Sequence, residues 1–177
     1  MNILQISEGR IGLNPSTPIE LVIMNVSKNL VKNGHRVTIL TKRFSSTEPA
    51  IDFVEGVRIV RLTRRFSVRR KSLLHLIVES IYFAFVAYRY LLKEHFDIIH
   101  LHLPWASSIL ATFDLRLRER MAYTCHADEY RLNYSQKIRA PFYLRLFSPD
   151  LYLMKRVKKT IVLNRSLLKK LVLSKRI

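Results

Sequence analysis

The chain has 177 residues, of which 49% are apolar and four are glycine, and its formal net charge is +18. This length allows one domain with a substantial core and excludes two full-sized domains, while the apolar content excludes a disordered chain. A single cysteine, Cys125, excludes an intramolecular disulfide framework and agrees with a reducing compartment. The N-terminus, MNILQIS, lacks the basic segment that opens a signal peptide.

The positive charge is distributed unevenly along the chain. Residues 61–71, RLTRRFSVRRK, hold six basic side chains and no acidic one, and no acidic residue follows Asp150. Such a field attracts polyanions, namely nucleic acid, anionic lipid or phosphate-bearing substrates. A solvated surface whose acidic complement lies on another segment is the alternative, and composition leaves both interpretations open.

The first elements along the chain form a strand–helix–strand unit. NILQIS, residues 2–7, predicts a strand, and Pro18 suits the first position of a helix capped by Ser16 or Thr17. Residues at helical spacing predict one buried face on this helix: Ile19, Val22, Ile23, Val26 and Leu30. Gly34 is a left-handed helix stop before the strand RVTILT, which implies a parallel pair with a right-handed crossover.

The alternation of strands and helices continues to the end of the chain. The sequence predicts strands at 56–62, 96–102, 121–125 and 160–163, and helices at 72–93, about 105–120, 138–156 (interrupted near 148–149) and in SLLKKLVL near the end. The helix at 72–93 carries charged side chains, which favours a buried or surface-embedded helix over a membrane span. The repeated units predict an α/β fold, with a single Rossmann-like, doubly wound, mostly parallel sheet and helices on both faces.

In such sheets ligands bind in the crevice beyond the carboxyl ends of the strands. Three segments are expected to meet at this edge. They are EGRIGLNPST after the first strand, HLHLPW after the strand at 96–102, and HADEY after the strand at 121–125. A functional site is therefore predicted where these three segments come together.

The order and spacing of several motifs resemble the N-terminal half of a retaining GT-B glycosyltransferase of family 4. These motifs are NILQIS, Glu20 at the start of a helix, LVKNGHRVTIL, GVRIVRL, FDIIHLH, YTCHADE and TIVLNRSLLKKL. The resemblance implies that residues 1–177 form one Rossmann-like, acceptor-side domain, and that a C-terminal donor-binding domain is its missing partner. It implies an enzyme that, at full length, moves a sugar from a nucleotide-sugar donor to a lipid-linked or saccharide acceptor, while the isolated domain is inactive. It also implies no metal ion or other cofactor, and a cytoplasmic protein that can lie peripherally on the inner face of the cell membrane.

The same resemblance assigns His126 as the catalytic residue. The matching histidine of the family contacts the donor sugar or the phosphate near the reacting carbon, and an imidazole can donate a hydrogen bond to either. Asp128 is expected to position acceptor hydroxyls, and Glu129 is a weaker alternative. Without the resemblance, all three would be interpreted as residues of a solvated turn.

The phosphate contacts are expected at the start of the first helix. Most family members have a Gly-Gly pair where this chain has Thr17 and Pro18, and a glycine where it has Ala127. Backbone amides at a helix start favour anions, so neighbouring residues can substitute for the pair. The expected substrate-binding residues of this region are Gly12, Asn14, Ser16, Thr17 and Glu20.

The strand FDIIHLH adds two histidines. We expect His100 and His102 to alternate across the strand and point to opposite faces, with His102, nearer the strand end, in the cleft. On this interpretation the pair cannot share a metal ion. The adjacent carboxylates Asp128 and Glu129 give little support to a hydrolase.

The basic segment predicts a membrane or anion surface formed by Arg64, Arg65, Arg69, Arg70 and Lys71. The apolar start of the next helix, at 73–77, is expected to enter a lipid interface with it, while the helix around 82–86 is expected to be buried. The alternative function is a non-catalytic, basic Rossmann-like binding module for anionic membrane or nucleic acid. Nucleic acid ranks last, because the basic residues are not interleaved with aromatic ones at the spacing of any known module.

Overall fold

The protein is represented by a computed structural model, which describes residues 1–12, 17–64, 73–126 and 149–163. In these ranges the strands are β1 (Asn2–Ile6), β2 (Arg36–Arg43), β3 (Ile51–Val54), β4 (Val57–Arg64), β5 (Ile98–Leu101), β6 (Met121–Cys125) and β7 (Lys159–Val162). The helices are α1 (Pro18–Lys32), α2 (Leu73–Leu91), α3 (Pro104–Phe113), α4 (Leu115–Arg118) and α5 (Pro149–Arg156). The predicted last helix and the first part of the helix predicted at 138–156 lie outside the described residues.

The strands of the described ranges form one sheet in the order β3-β4-β2-β1-β5-β6-β7. Every neighbouring pair is parallel except β3 and β4. Strands β2, β4 and β3 lie on one side of β1, and strands β5, β6 and β7 lie on its other side. The direction in which strands are added therefore reverses between β1 and β5. This is the doubly wound arrangement that the sequence predicts, and its ligand crevice belongs at that reversal.

Two hydrophobic clusters cover the two faces of the sheet. On one face, Leu4 and Ile6 of β1 pack with Phe83 of α2 and Leu110 of α3. On the other, alternate residues of β2 and β4, such as Ile39 and Ile59, pack against Ile23 and Met24 of α1. Helices therefore lie on both faces, as the alternation of strand side chains requires.

Helix α1 has well-defined ends. Thr17 is its cap, because its hydroxyl accepts from the amide of Glu20 while the Glu20 carboxylate accepts from the amide of Thr17. Gly34 follows the helix with φ of 79°, and the amides of Gly34 and His35 donate to the carbonyls of Val31 and Leu30, which confirms the predicted left-handed stop.

The predicted buried face of α1 is partly wrong. Val22 and Val26 are 41% and 37% exposed, whereas Glu20 and Ser27 are buried together with Ile23. The apolar pattern misled the prediction because two polar residues occupy the inner face. Their side chains are buried because they form hydrogen bonds there, Glu20 with the amides of Arg10 and Thr17 and Ser27 with Gln5 and the carbonyl of Ile23.

Two further elements differ from the prediction. Strand β3, which was not predicted from the sequence, forms a hairpin with β4 through Glu55 and Gly56, both at positive φ (48° and 81°). Positive φ at both central residues is typical of a type I′ turn, whose twist suits a two-residue hairpin. The helix predicted at about 105–120 is broken at Asp114, which has an extended backbone and caps α4 by accepting from the amide of Arg116.

Helix α2 is apolar but carries an exposed stripe. No described helix is both long and apolar enough to cross a membrane. Phe83 and Ala87 are buried against the sheet, whereas four apolar side chains on the outer face are about half exposed: Val78, Ile81, Tyr82 and Phe85. Their spacing of three and four residues places them on one side of the helix. The expectation that the helix is buried around 82–86 is therefore wrong for Tyr82 and Phe85.

Candidate functional site

A cleft opens at the carboxyl ends of the central strands. Its cavity volume is about 500 Å³, and it is bounded by Ser7 and Gly9 after β1, the first turn of α1, Leu103 after β5 and His126 after β6. These segments flank the reversal of strand order between β1 and β5. The cleft therefore lies where a doubly wound sheet is expected to bind its ligand.

His126 lies at this cleft as predicted, and it does not stand alone. Its Nε2 lies 3.2 Å from Nδ1 of His102, and the ring centroid of His102 lies 4.1 Å from that of His100. The prediction that His100 and His102 point to opposite faces is thus wrong. Residues two apart on a strand share a face, and His126 follows the neighbouring strand on that same face.

His102 is the most buried of the three histidines, at 1% exposure, and it lies behind His126. Its Nε2 is 2.8 Å from Oε1 of Gln5, so both ring nitrogens are in hydrogen bonds. Nε2 of His100 is 2.7 Å from Oγ1 of Thr124. His102 therefore reaches the cleft only through His126, and His100 is an interior residue with a hydrogen-bond partner.

Burial keeps these imidazoles neutral. Burial, followed by the neighbouring histidines, lowers the pKa of His102 to about 2, and burial together with His126 lowers the pKa of His100 to about 4. Burial also lowers the pKa of His126, while the charge of Asp150 opposes that shift. The Asp150 carboxylate is held in place by the hydroxyl of Tyr123 and the thiol of Cys125.

The start of α1 forms the opposite wall of the cleft. Oε1 of Glu20 accepts from the amide of Arg10 at 2.7 Å and Oε2 accepts from that of Thr17 at 2.9 Å. Glu20, which was expected to bind substrate, thus shapes the loop after β1 while also lining the cleft. In this first turn Pro18 has no amide proton to donate, and the Glu20 amide donates to the Thr17 hydroxyl.

Gly12 lies away from this cleft. It borders a separate cavity of about 240 Å³ beside Arg61. The guanidinium of Arg61 is buried there and donates to the carbonyls of Ile11 and Pro49 and to the carboxylate of Asp52. The structure therefore does not bring Gly12 together with His126.

A buried group of charges, which was not predicted from the sequence, lies beside the cleft. The ammonium of Lys42 lies 3.6 Å from Glu79 and 3.8 Å from Glu8. Glu8 also accepts from the amide of Ala106, in the first turn of α3, and from the hydroxyl of Ser80. Burial raises the pKa of Glu8, and the charge of Lys42 opposes this shift. Glu8 could have been recognised in the sequence as a carboxylate directly after a buried strand. Gln5, which was also not predicted, is a polar residue within the apolar strand NILQIS and lies near the cleft.

Several predicted site residues lie outside the described ranges: Asn14, Ser16, Asp128, Glu129, Arg65, Arg69, Arg70 and Lys71. For Arg64, the structure describes the backbone at the end of β4 but not the side chain. Among the residues that are described, no group of three His, Cys, Asp or Glu side chains is arranged to hold a metal ion.

The sheet order and the cleft at its reversal define a Rossmann-like α/β domain of the kind found in GT-B enzymes. Residues 19–175 match the family model described as Glycosyltransferase Family 4, and the chain belongs to that family. No curated protein sequence matches it.

Solved structures share the fold at low identity. Sucrose-phosphate synthase from Thermosynechococcus elongatus is 15% identical with a TM-score of 0.70, and the match covers 97% of this chain and 44% of that one. The catalytic domain of starch synthase IV from Arabidopsis thaliana is 15% identical with a TM-score of 0.63, over 89% of this chain and 44% of that one. A glycosyltransferase from Rickettsia africae is 16% identical with a TM-score of 0.50, and the match covers 97% of this chain and 38% of that one. The chain thus spans less than half the length of these structures.

Proposed function

We propose that residues 1–177 form the acceptor-side half of a retaining glycosyltransferase, which moves a sugar from a nucleotide-sugar donor to a lipid-linked or saccharide acceptor. The observation that carries this proposal is the cleft of about 500 Å³ between His126 and the start of α1. A second, donor-binding domain closes that cleft and supplies most of the nucleotide contacts. The starch synthase structure, which holds ADP and acarbose, supports the choice of a nucleotide sugar and a saccharide.

The two walls of the cleft suit the charges that develop during such a transfer. Positive charge builds at the anomeric carbon and negative charge on the leaving phosphate as the bond between them breaks. The positive end of the α1 dipole favours the phosphate side. The Glu20 carboxylate reduces this attraction, so we assign most of the phosphate binding to the second domain. His126 faces the sugar, where a neutral imidazole can hydrogen-bond a hydroxyl.

The acceptor is proposed to reach the enzyme at a membrane surface. The exposed stripe of α2 (Val78, Ile81, Tyr82 and Phe85) presents four half-exposed apolar side chains on one side of a helix. The basic segment 61–71 lies just before this helix in the chain and adds five cations besides the buried Arg61. An apolar helical face joined to a cluster of cations is the pattern of a segment that lies in an anionic lipid interface. The protein is accordingly proposed to be cytoplasmic and peripheral on the membrane.

The test is a sugar-transfer assay with residues 1–177 alone and with the same chain joined to a C-terminal donor-binding domain. A panel of nucleotide sugars and of lipid and saccharide acceptors is offered to both. We expect background transfer by residues 1–177, because one wall of the active cleft is missing, and turnover by the two-domain protein. Robust turnover by residues 1–177 would contradict the half-enzyme proposal.

A further inference from the structure

A continuous chain of hydrogen bonds runs from the inner face of α1 to the cleft. The hydroxyl of Ser27 donates to the carbonyl of Ile23 at 2.8 Å, and Nε2 of Gln5 donates to Oγ of Ser27 at 2.8 Å. Oε1 of Gln5 meets Nε2 of His102 at 2.8 Å, and Nδ1 of His102 meets Nε2 of His126 at 3.2 Å. Gln5, Ser27 and His102 are all buried, so water does not compete with these bonds.

The chemistry of each group gives this chain one direction. The single proton of the Ser27 hydroxyl is used on Ile23, so its oxygen accepts from the amide nitrogen of Gln5. The amide oxygen of Gln5 can only accept, so the proton between it and His102 belongs to Nε2 of His102. A neutral imidazole carries one proton, so Nδ1 of His102 is an acceptor. The proton in the last link therefore belongs to Nε2 of His126.

His102 must remain neutral for the protons to be arranged in this way. Its exposure is 1%, and burial and the two neighbouring histidines lower its pKa to about 2. Its described hydrogen-bond partners are the Gln5 amide and the His126 ring, so a second proton would place a charge in the interior with no carboxylate bonded to it. Burial without a countercharge thus disfavours the charged form.

We propose that Ser27, Gln5 and His102 are positioning residues that fix His126 as its Nε2-protonated tautomer, which leaves Nδ1 as the ring nitrogen available to a ligand in the cleft. In the described part of the chain, no side chain or backbone group hydrogen-bonds Nδ1 of His126. A neutral Nδ1 carries a lone pair, so it accepts from a hydroxyl and is repelled by an unprotonated phosphate oxygen. This inference rests on the proposed function only in naming the ligand group, which is a sugar hydroxyl rather than the donor phosphate.

The tautomer can be measured directly on residues 1–177 without any sugar transfer. Long-range ¹H–¹⁵N correlation spectra of the protein labelled with ¹⁵N-histidine distinguish a protonated ring nitrogen from an unprotonated one. The His126→Asn spectrum assigns the signals of His126 among those of the six histidines. At pH 7.5 we expect a single tautomer, with the proton on Nε2 and none on Nδ1. A proton on Nδ1, or a mixture of tautomers, would overturn the proposal.

Two variants then test whether the buried residues cause this preference. Gln5→Met keeps the approximate size of the side chain but removes the acceptor of His102, so both rings should become mixtures of tautomers. Thr124→Val removes the hydrogen-bond partner of His100 in the same buried region and should leave the His126 spectrum unchanged. An unchanged His126 tautomer in Gln5→Met would show that the chain of hydrogen bonds does not set it.

If Gln5→Met does not fold, the smaller change Ser27→Ala tests the same dependence of the His126 tautomer on the buried residues. Without the Ser27 oxygen, the Gln5 amide is free to turn over and donate to His102, so His126 should again show both tautomers. Retention of one tautomer in Ser27→Ala would then contradict the proposal. Because the spectra need no catalysis, a failure of the proposed function leaves this result standing. A wrong tautomer in a protein that does transfer sugar would overturn only this inference.

Discussion

The ammonium group of Lys42 lies 3.6 Å from the carboxylate of Glu79, and both side chains are buried between the sheet and α2. The carboxylate of Glu8 lies 3.8 Å from the same ammonium group, and it accepts a hydrogen bond from the amide of Ala106 in the first turn of α3. These ionic contacts hold together the loop after β1, the end of β2 and two helices directly beside the cleft. The geometry of the cleft therefore depends on a charge balance that lies outside its lining.

Lys42→Met should destabilise the fold strongly. The substitution leaves two carboxylates buried without their cation, and breaking a buried pair in this way typically costs about 3–5 kcal/mol. The matched control is Lys28→Met, which removes the exposed pair with Glu55 and should cost about 1 kcal/mol or less. Denaturant unfolding of both variants measures the difference. Equal, small costs would mean that the buried pair contributes nothing to stability.

Acid should weaken the fold through the buried histidines. Their pKa values are lowered from about 6.5 to about 4 for His100 and about 2 for His102, so the unfolded chain binds more protons across the window from pH 6.5 to 4. Stability present above pH 6.5 is therefore lost as the pH falls through that window. The raised pKa of Glu8 acts in the opposite direction near its own titration.

The contribution of one histidine is measured by comparing variants. Over that window, His102→Gln should reduce the slope of unfolding free energy against pH by about 1.4 kcal/mol per pH unit, which corresponds to one proton. The control is His95→Gln, which removes an exposed histidine rather than a buried one. Parallel curves for His102→Gln and the parent would contradict the assignment of a neutral, buried His102.

Transfer by the two-domain protein should not require a metal ion. His102 uses both ring nitrogens in hydrogen bonds and His100 uses Nε2 with Thr124, so the histidine lone pairs are not grouped around one point. The initial rate after treatment with EDTA should equal the untreated rate. A loss of activity that added Mg²⁺ or Mn²⁺ restores would show that an ion takes part.

Residues 1–177 should bind vesicles of anionic lipid and not vesicles of zwitterionic lipid. Each cation near an anionic surface contributes about 1 kcal/mol, so replacing Arg64, Arg65, Arg69 and Arg70 by glutamine should weaken co-sedimentation severalfold or more. Added salt should weaken it as well.

The apolar stripe of α2 supplies the second arm of this experiment. Ile81→Ser and Phe85→Ser together should reduce binding, whereas Leu92→Ser, also exposed but beyond the end of α2, is the matched control. Binding that survives the arginine replacements would move the contact to another surface. An absence of binding by the parent protein would end the membrane proposal.

Much of the fold follows from local patterns in the sequence. Parallel strands buried on both faces give short apolar runs, and the stop at Gly34 and the cap at Thr17 follow from backbone chemistry. Strand β3 was missed because it is only four residues long and its apolar residues Ile51 and Phe53 are exposed, so its apolar positions do not mark a buried face. The break at Asp114 was missed because an aspartate between two helical patterns can either continue a helix or cap the next one.

The site was predictable only in part. His126 was assigned from the family resemblance, and its closeness to His102 follows from two rules, that residues two apart share a face and that adjacent parallel strands end together. The misassigned faces of His100 and His102 hid this pairing. The role of Gln5 depends on the register that pairs it with His100 across β1 and β5, which no local pattern specifies.

The most direct test of the account is the rate of sugar transfer by the two-domain protein carrying His126→Ala. His126 lies one residue beyond β6 and is partly exposed, so its loss leaves little cavity, but Nδ1 of the buried His102 loses its partner; the cost should be about 1–3 kcal/mol in unfolding free energy. Losing a contact made in the transition state should lower kcat/KM by roughly a hundredfold or more. This combination, a folded protein with little activity, is the predicted result. Near-normal activity of His126→Ala, or outright unfolding, would contradict the assignment of His126 to the reaction.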